Sequence, residues 1–324
     1  GRTSCGWHVV HVVGWHRGDS RRPERAAPLS AARSPRIYHR ERVELVGRRS
    51  ERETLERAFD RALGGRRTVA WVRGAAGIGK TALVAEFRSI AIARGAIGIG
   101  SSVTEVETCI GWSGTASLLR SFDPDLLSGV DASQLEILAA LAGSVREDAT
   151  EPLSVASALS DVLAALADSQ PLVVVLDDLH WFDHATAAAL SFSIRLLGDH
   201  PILFLAAARP VDLPIDLWRI VDADDLIVIE PTALSLGATR ELLASRFAVQ
   251  LGHIDLVRLH EVSAGNPLHV IETGRLVQAG VPIAEAMLPG SLRALIDVGL
   301  GDLDAADTEV LAACALMPKP RPVL

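Results

Sequence analysis

Thr68-Val69-Ala70-Trp71-Val72-Arg73-Gly74-Ala75-Ala76-Gly77-Ile78-Gly79-Lys80-Thr81 decides the fold. A short apolar run passes through a glycine-rich turn into a helical pattern that lasts to about residue 93. The turn has the phosphate-loop spacing G-x-x-x-x-G-K-[ST]. Glycines there let successive backbone N–H groups face inward around phosphate oxygens. The following helix presents its N-terminus, with unpaired N–H groups and the positive end of its dipole. Lys80 brings a charge to the β- and γ-phosphates, and the Thr81 hydroxyl is a ligand for Mg²⁺. Gly74, Ala75, Ala76, Gly77, Ile78, Gly79, Lys80 and Thr81 are therefore the candidate contacts to ATP or ADP, and Thr81 is the first candidate Mg²⁺ ligand.

The second decisive stretch is Leu172-Val173-Val174-Val175-Leu176-Asp177-Asp178. A continuous apolar run suits a strand buried on both faces of a parallel sheet. A carboxylate at its end fits a Walker B site, where Asp177 holds Mg²⁺ largely through water. Asp178 is then placed to orient the attacking water. Arg209 closes the next apolar run, where a polar side chain can sense the γ-phosphate. Lys80, Asp177, Asp178 and Arg209 form the candidate catalytic set.

Apolar runs at 68–72, 96–100, 171–176, 202–207 and 226–229 read as five strands alternating with helices. That pattern predicts an α/β fold, a P-loop NTPase-type three-layer parallel sheet. Upstream, Ser50 and Glu53 have capping-box spacing, before a helix whose face carries Leu55, Ala58, Phe59 and Ala62. After Pro231 the strands stop, and 236–248, 254–263, 267–279 and 291–315 read as helices.

The 324 residues carry a net charge of −8 and are 49% hydrophobic, which excludes a disordered chain. No apolar run is long enough for a membrane-spanning helix. Cys5, Cys109 and Cys314 are far apart, which excludes a disulfide scaffold and a cysteine metal site, and points to a reducing, cytoplasmic setting. Aromatic residues make up only 4%, against a stacking surface for single-stranded nucleic acid. Lys80 and Lys319 are the only lysines. Residues 1–67 hold sixteen Arg against eight Asp or Glu, so the rest is strongly acidic. His8, His11 and His16 alternate with apolar residues there, and no Cys or carboxylate cluster supports reading them as a metal site.

Leu45-Val46-Gly47-Arg48, the phosphate loop, Leu176-Asp177-Asp178-Leu179-His180-Trp181, Arg209 and Gly265-Asn266-Pro267 follow one another in an order that resembles the signal-transduction (STAND) class of AAA+-related ATPases. More narrowly, it is similar to the ATPase module of large LuxR-family transcriptional regulators of actinobacteria, over about residues 43–318. The resemblance implies that Val46, Gly47 and Arg48 line the adenine side. It implies that Pro267 sits in a helical lid and contacts base or ribose, and that His180 and Trp181 lie just past the Walker B strand. It divides the chain into a basic extension (1–42), an ATPase core (43–235), a helical lid (236–284) and the start of a truncated winged-helix segment (285–324). Arg49 departs from the family, where an acidic residue is common. The Gly at position 1 reads as a fragment or a misread start, and the resemblance implies a C-terminal helix-turn-helix, through which relatives bind DNA, that is absent from this chain.

The expected function is an ATP-binding, slowly hydrolysing switch whose nucleotide state sets lid position and self-association, with no membrane partner. A conventional ATPase or phosphotransferase is the first alternative, although a motor favours glutamate where Asp178 stands. Nucleic-acid binding through phosphate contacts of the basic arm is the second.

Overall fold

The computed structural model describes residues 45–127, 130–143, 152–210, 213–215 and 217–287. The basic extension, the run around His8 to His16 and all but three residues of the expected winged-helix segment lie outside them. Five strands, β1 (Thr68–Arg73), β2 (Ile97–Ser102), β3 (Leu172–Asp177), β4 (Ile202–Ala208) and β5 (Leu226–Ile229), pair in the order β2-β3-β4-β1-β5. Every pairing is parallel. The expected α/β parallel sheet of five strands is therefore present, with boundaries within two residues of the apolar runs.

Alternation along each strand builds two cores, because successive side chains point to opposite faces. Val69, Trp71, Val174, Leu176, Phe204 and Ala206 pack on one side. That side is covered by α3 (Ser113–Leu119), α4 (Ala132–Gly143), α5 (Pro152–Ser169) and α6 (His184–Leu196). Ala70, Val72, Val173, Val175, Leu203 and Leu205 pack on the other, against α1 (Arg49–Leu63) and α2 (Lys80–Ala93). A short helix, α7 (Leu217–Ile220), precedes β5.

After β5 come α8 (Leu236–Phe247), α9 (His253–Ser263), α10 (Pro267–Gln278) and α11 (Ile283–Ala286). They share a third core of Leu242, Leu243, Phe247, Leu256, Leu259 and Val270, which Val46 also joins.

One local expectation is corrected. Ser50 is not the N-cap of α1: the helix starts at Arg49, its N-cap Arg48 offers no side-chain cap, and Ser50 donates to Glu51 Oε2 at 2.8 Å. Among the described residues Thr104 and Glu107 form a capping box, on a 3₁₀ turn (Glu105–Cys109) after β2.

Candidate nucleotide site

The order of strands brings the sequence motifs together. β4 lies between β1 and β3, so the loop after β1, Arg209 after β4 and Asp177 at the end of β3 share one edge of the sheet. This is the carboxyl edge, where connections leave in opposite directions and ligands of such sheets bind.

The loop at residues 74–78 is held by its carbonyls. Lys80 Nζ donates to the carbonyls of Gly74 and Ala75 at 2.9 and 3.0 Å. Asn266 Nδ2 donates to that of Ala76 at 2.9 Å. The Leu268 amide donates to that of Gly77 at 3.2 Å. Arg48 Nη2 donates to that of Ile78 at 2.8 Å. Five consecutive carbonyls are thus engaged, while the amides of Ala75, Ala76, Gly77 and Gly79 donate to no group among the described residues. Unspent amides beside a helix N-terminus form an anion-binding nest. Gly77, at φ +77°, leaves no space for a side chain: a Cβ there would meet Asn266 Oδ1 at 2.7 Å and Leu268 Cβ at 2.8 Å.

Asp177 is buried at 3% exposure and accepts from Thr81 Oγ1 at 3.2 Å and from the Asp178 amide at 3.0 Å. Burial, and then the neighbouring Asp178 charge, push its carboxyl up to about 6. Asp178 takes a left-handed backbone (φ 53°), which Asp tolerates better than most residues. Burial lowers the Lys80 ammonium below its ordinary value; Asp178 and Asp177 oppose this and Arg209 adds to it. Arg209 itself is exposed. The donor set fits Mg²⁺: Thr81 and Asp177 offer hard oxygens, and Mg²⁺ keeps its remaining positions for water and phosphate.

His180 sits on the 3₁₀ turn (Leu179–Trp181) after β3, its ring 4.7 Å from that of Trp181. Both ring nitrogens are buried without a hydrogen-bond partner. Burial lowers its pKa, Arg209 and Lys80 lower it further, and Asp178 opposes them.

Val46, Gly47 and Arg48 lie between the sheet and the helical segment. Arg48, 4% exposed, pairs with buried Glu51 at 3.1 Å and also donates to the carbonyl of Thr232. A Cβ on Gly47 would meet Ala238 Cβ at 3.0 Å. Arg49 points to solvent and pairs with Glu53, so the departure from the family's acidic residue leaves the buried contacts of this turn untouched. Pro267 is the first residue of α10, behind Asn266, whose side chain caps the helix by accepting from the Leu268 amide at 3.0 Å.

Sequence reading placed Pro267 in the site and missed Asn266. The Asn-Pro pair was the available signal, since Asn favours the N-cap and Pro the first helical position. It also missed Asp183, which accepts from Trp112 N, Ser113 Oγ, Gly114 N, Thr186 N and Thr186 Oγ1 and so ties α3 to α6.

A phosphate loop after β1, with the acidic end of β3 two places away in the sheet, defines a P-loop nucleoside triphosphatase. A family model described as "AAA ATPase domain" matches residues 44–205, and the chain belongs to that family. Membership implies a nucleotide ligand. An uncharacterised protein of Rhizobium meliloti (strain 1021) is 25% identical over 196 residues, covering 51% of this chain and 18% of that protein. The chain thus spans under a fifth of that relative's length. Among solved structures, the ORC1 protein of Aeropyrum pernix, in complex with DNA, is similar with a TM-score of 0.50 and 15% identity, over 89% of this chain and 77% of that one. A Signal Transduction ATPase with Numerous Domains from Pyrococcus horikoshii, with a tetratricopeptide repeat sensor, is similar with a TM-score of 0.43 and 17% identity, over 75% of this chain and 31% of that one. The likeness to the Aeropyrum pernix protein speaks for the fold alone. No helix among the described residues is long and apolar enough to cross a membrane.

Proposed function

We propose that this chain is a nucleotide-operated switch: it binds ATP or ADP with Mg²⁺, hydrolyses ATP slowly, and converts the nucleotide state into the position of the segment 236–284 and into self-association. The observation that carries this reading is the division of the loop carbonyls. Lys80 holds two of them, α10 and its cap hold two, and Arg48 holds one. A phosphate that recruits Lys80 competes with the carbonyls of Gly74 and Ala75. It therefore changes the loop that Asn266 and Leu268 grip, and by linkage a change in that grip alters phosphate affinity to the same degree.

In this reading the unspent amides of Ala75, Ala76, Gly77 and Gly79 face the phosphates, Gly74 and Ile78 shape the loop with their own amides bonded to the Ala208 and Ala75 carbonyls, and Val46, Gly47, Arg48 and Pro267 border the base. Thr81 and Asp177 would hold Mg²⁺, which supplies charge neutralisation across the phosphates. Asp178 orients water, and Arg209 faces the terminal phosphate. An aspartate at position 178 and an exposed Arg209 suit slow turnover. The resemblance to LuxR-family regulators makes transcriptional control the setting and the cytoplasm its place.

The deciding experiment identifies nucleotide in purified protein and follows ATP turnover with Mg²⁺, with Lys80→Ala as control. Tightly held ADP and turnover over minutes or longer are expected. Lys80-dependent turnover above about one per second, within the ordinary enzyme range, would make the chain a conventional ATPase instead.

A further inference from the structure

The opposite edge of the sheet carries a second cluster of charge. Arg67 precedes β1, and Asp225 precedes β5. Arg67 is 5% exposed; it donates to the carbonyl of Ile194 at the end of α6 and pairs with Asp225 at 3.2 Å. Arg66 and Arg61 also reach Asp225, at 2.6 and 3.8 Å, so this one carboxylate is shared by three guanidiniums. The Nε of Arg67 is left buried without a hydrogen-bond partner. Beside it opens a cleft of about 440 Å³, whose lining includes Arg67, Arg195, Arg219 and Asp222. Arg195, in the last turn of α6, is exposed and makes no ion pair among the described residues.

The geometry points to a binding site for a small phosphorylated anion in this cleft, separate from the nucleotide site. The cleft's own lining sets the guanidiniums of Arg67, Arg195 and Arg219 against the single carboxylate of Asp222, and a phosphoryl group takes several guanidiniums at once through paired N–H donors. The positive surplus arises in a chain of net charge −8, so it is local and not compositional. The volume suits a small molecule. Exposed Asp222 in the lining disfavours a long polyanion. β1 separates the two sites by about 20 Å, from the rise of a six-residue strand. One molecule does not fill both.

The test is calorimetric titration of the full chain with inorganic phosphate and pyrophosphate, after saturation with a non-hydrolysable ATP analogue and Mg²⁺. Saturable binding of one anion, tighter for pyrophosphate, is expected. Arg195→Ser and Arg219→Ser, both at exposed positions, should each weaken it by about tenfold or more. Lys80→Ala, titrated without the analogue, should leave the same isotherm intact. Loss of the isotherm in Lys80→Ala would assign the binding to the phosphate loop and overturn the proposal. Equal weak binding of sulfate and phosphate, indifferent to both arginine variants, would mean an adventitious ion only. A DNA duplex that outcompetes pyrophosphate with steep salt dependence would replace the small ligand by a nucleic-acid backbone.

Discussion

Asn266 and Ala76 are 190 positions apart in the chain, yet the Asn266 amide nitrogen stands 2.9 Å from the Ala76 carbonyl oxygen. The same side chain caps α10 through its oxygen. One residue therefore starts a helix and fastens the loop against which that helix packs. Asn266→Ala should cost about 1–2 kcal/mol of stability, the usual range for a lost cap. It should also speed nucleotide release, measured by chasing a fluorescent ADP analogue. Release at the wild-type rate would show that the contact is structural only.

Gly77→Ala attacks the same contact from the other side. The new Cβ would lie 2.7–2.8 Å from Asn266 and Leu268 on a backbone of positive φ. Nucleotide affinity should fall further than in Asn266→Ala. The exposure of α10 to hydrogen exchange should rise, since its N-terminus must move away to make room.

Asp177 gives a pH dependence of known sign. Its carboxyl is raised from 3.8 to about 6, so the folded chain binds this proton more tightly than the unfolded one. Its contribution is fully present below about pH 4 and is lost as pH rises through about 6, roughly 3 kcal/mol in all. In EDTA, Asp177→Asn should therefore be more stable than wild type at pH 7.5, with the gap closing near pH 4. Urea denaturation at the two pH values measures it. A variant less stable at both would contradict the buried, unfavourable carboxylate.

His180 offers a test of a different kind. A neutral ring with both nitrogens buried and unpaired forfeits hydrogen bonds to water without recovering them. His180→Phe should keep the packing on Trp181 and raise the stability of nucleotide-free protein by about 1–2 kcal/mol. If it lowers stability, the nitrogens are satisfied in solution.

Asp183→Ala should be the most damaging of these changes to the core. It strands the buried donors of Trp112 N, Gly114 N, Thr186 N and Thr186 Oγ1, and leaves Ser113 Oγ only the Glu107 carbonyl. A loss of about 3 kcal/mol or more is expected from chemical denaturation. Nucleotide affinity of the folded fraction should be unchanged, because α3 and α6 lie on the face away from α2.

The sheet was legible because its signal is local. Runs such as 171–176 are apolar throughout, bounded by turn residues, and need no partner to be recognised. The pairing of Thr81 with Asp177 was legible for a related reason: both follow strands, and strand ends of a parallel sheet converge on one edge. Asn266 and Arg48 were harder. Their roles lie in bonds to backbone carbonyls, and a carbonyl leaves no trace in the identity of its residue. Ser50 misled for the opposite reason. Its spacing to Glu53 suits a cap, but Arg48 and Glu51 form a buried pair that draws the helix start back to Arg49. The arginine cleft is built from three separated stretches and has no spacing to read.

The fivefold grip on the loop also bears on where the working unit ends. The family match stops at residue 205, and a fragment cut after β5 would keep the whole sheet. It would nevertheless lack Asn266 and Leu268, and with them the holders of the Ala76 and Gly77 carbonyls. The smallest piece with an intact phosphate loop therefore runs past Leu268. Weak binding by a shorter one would measure the cut, not the chemistry.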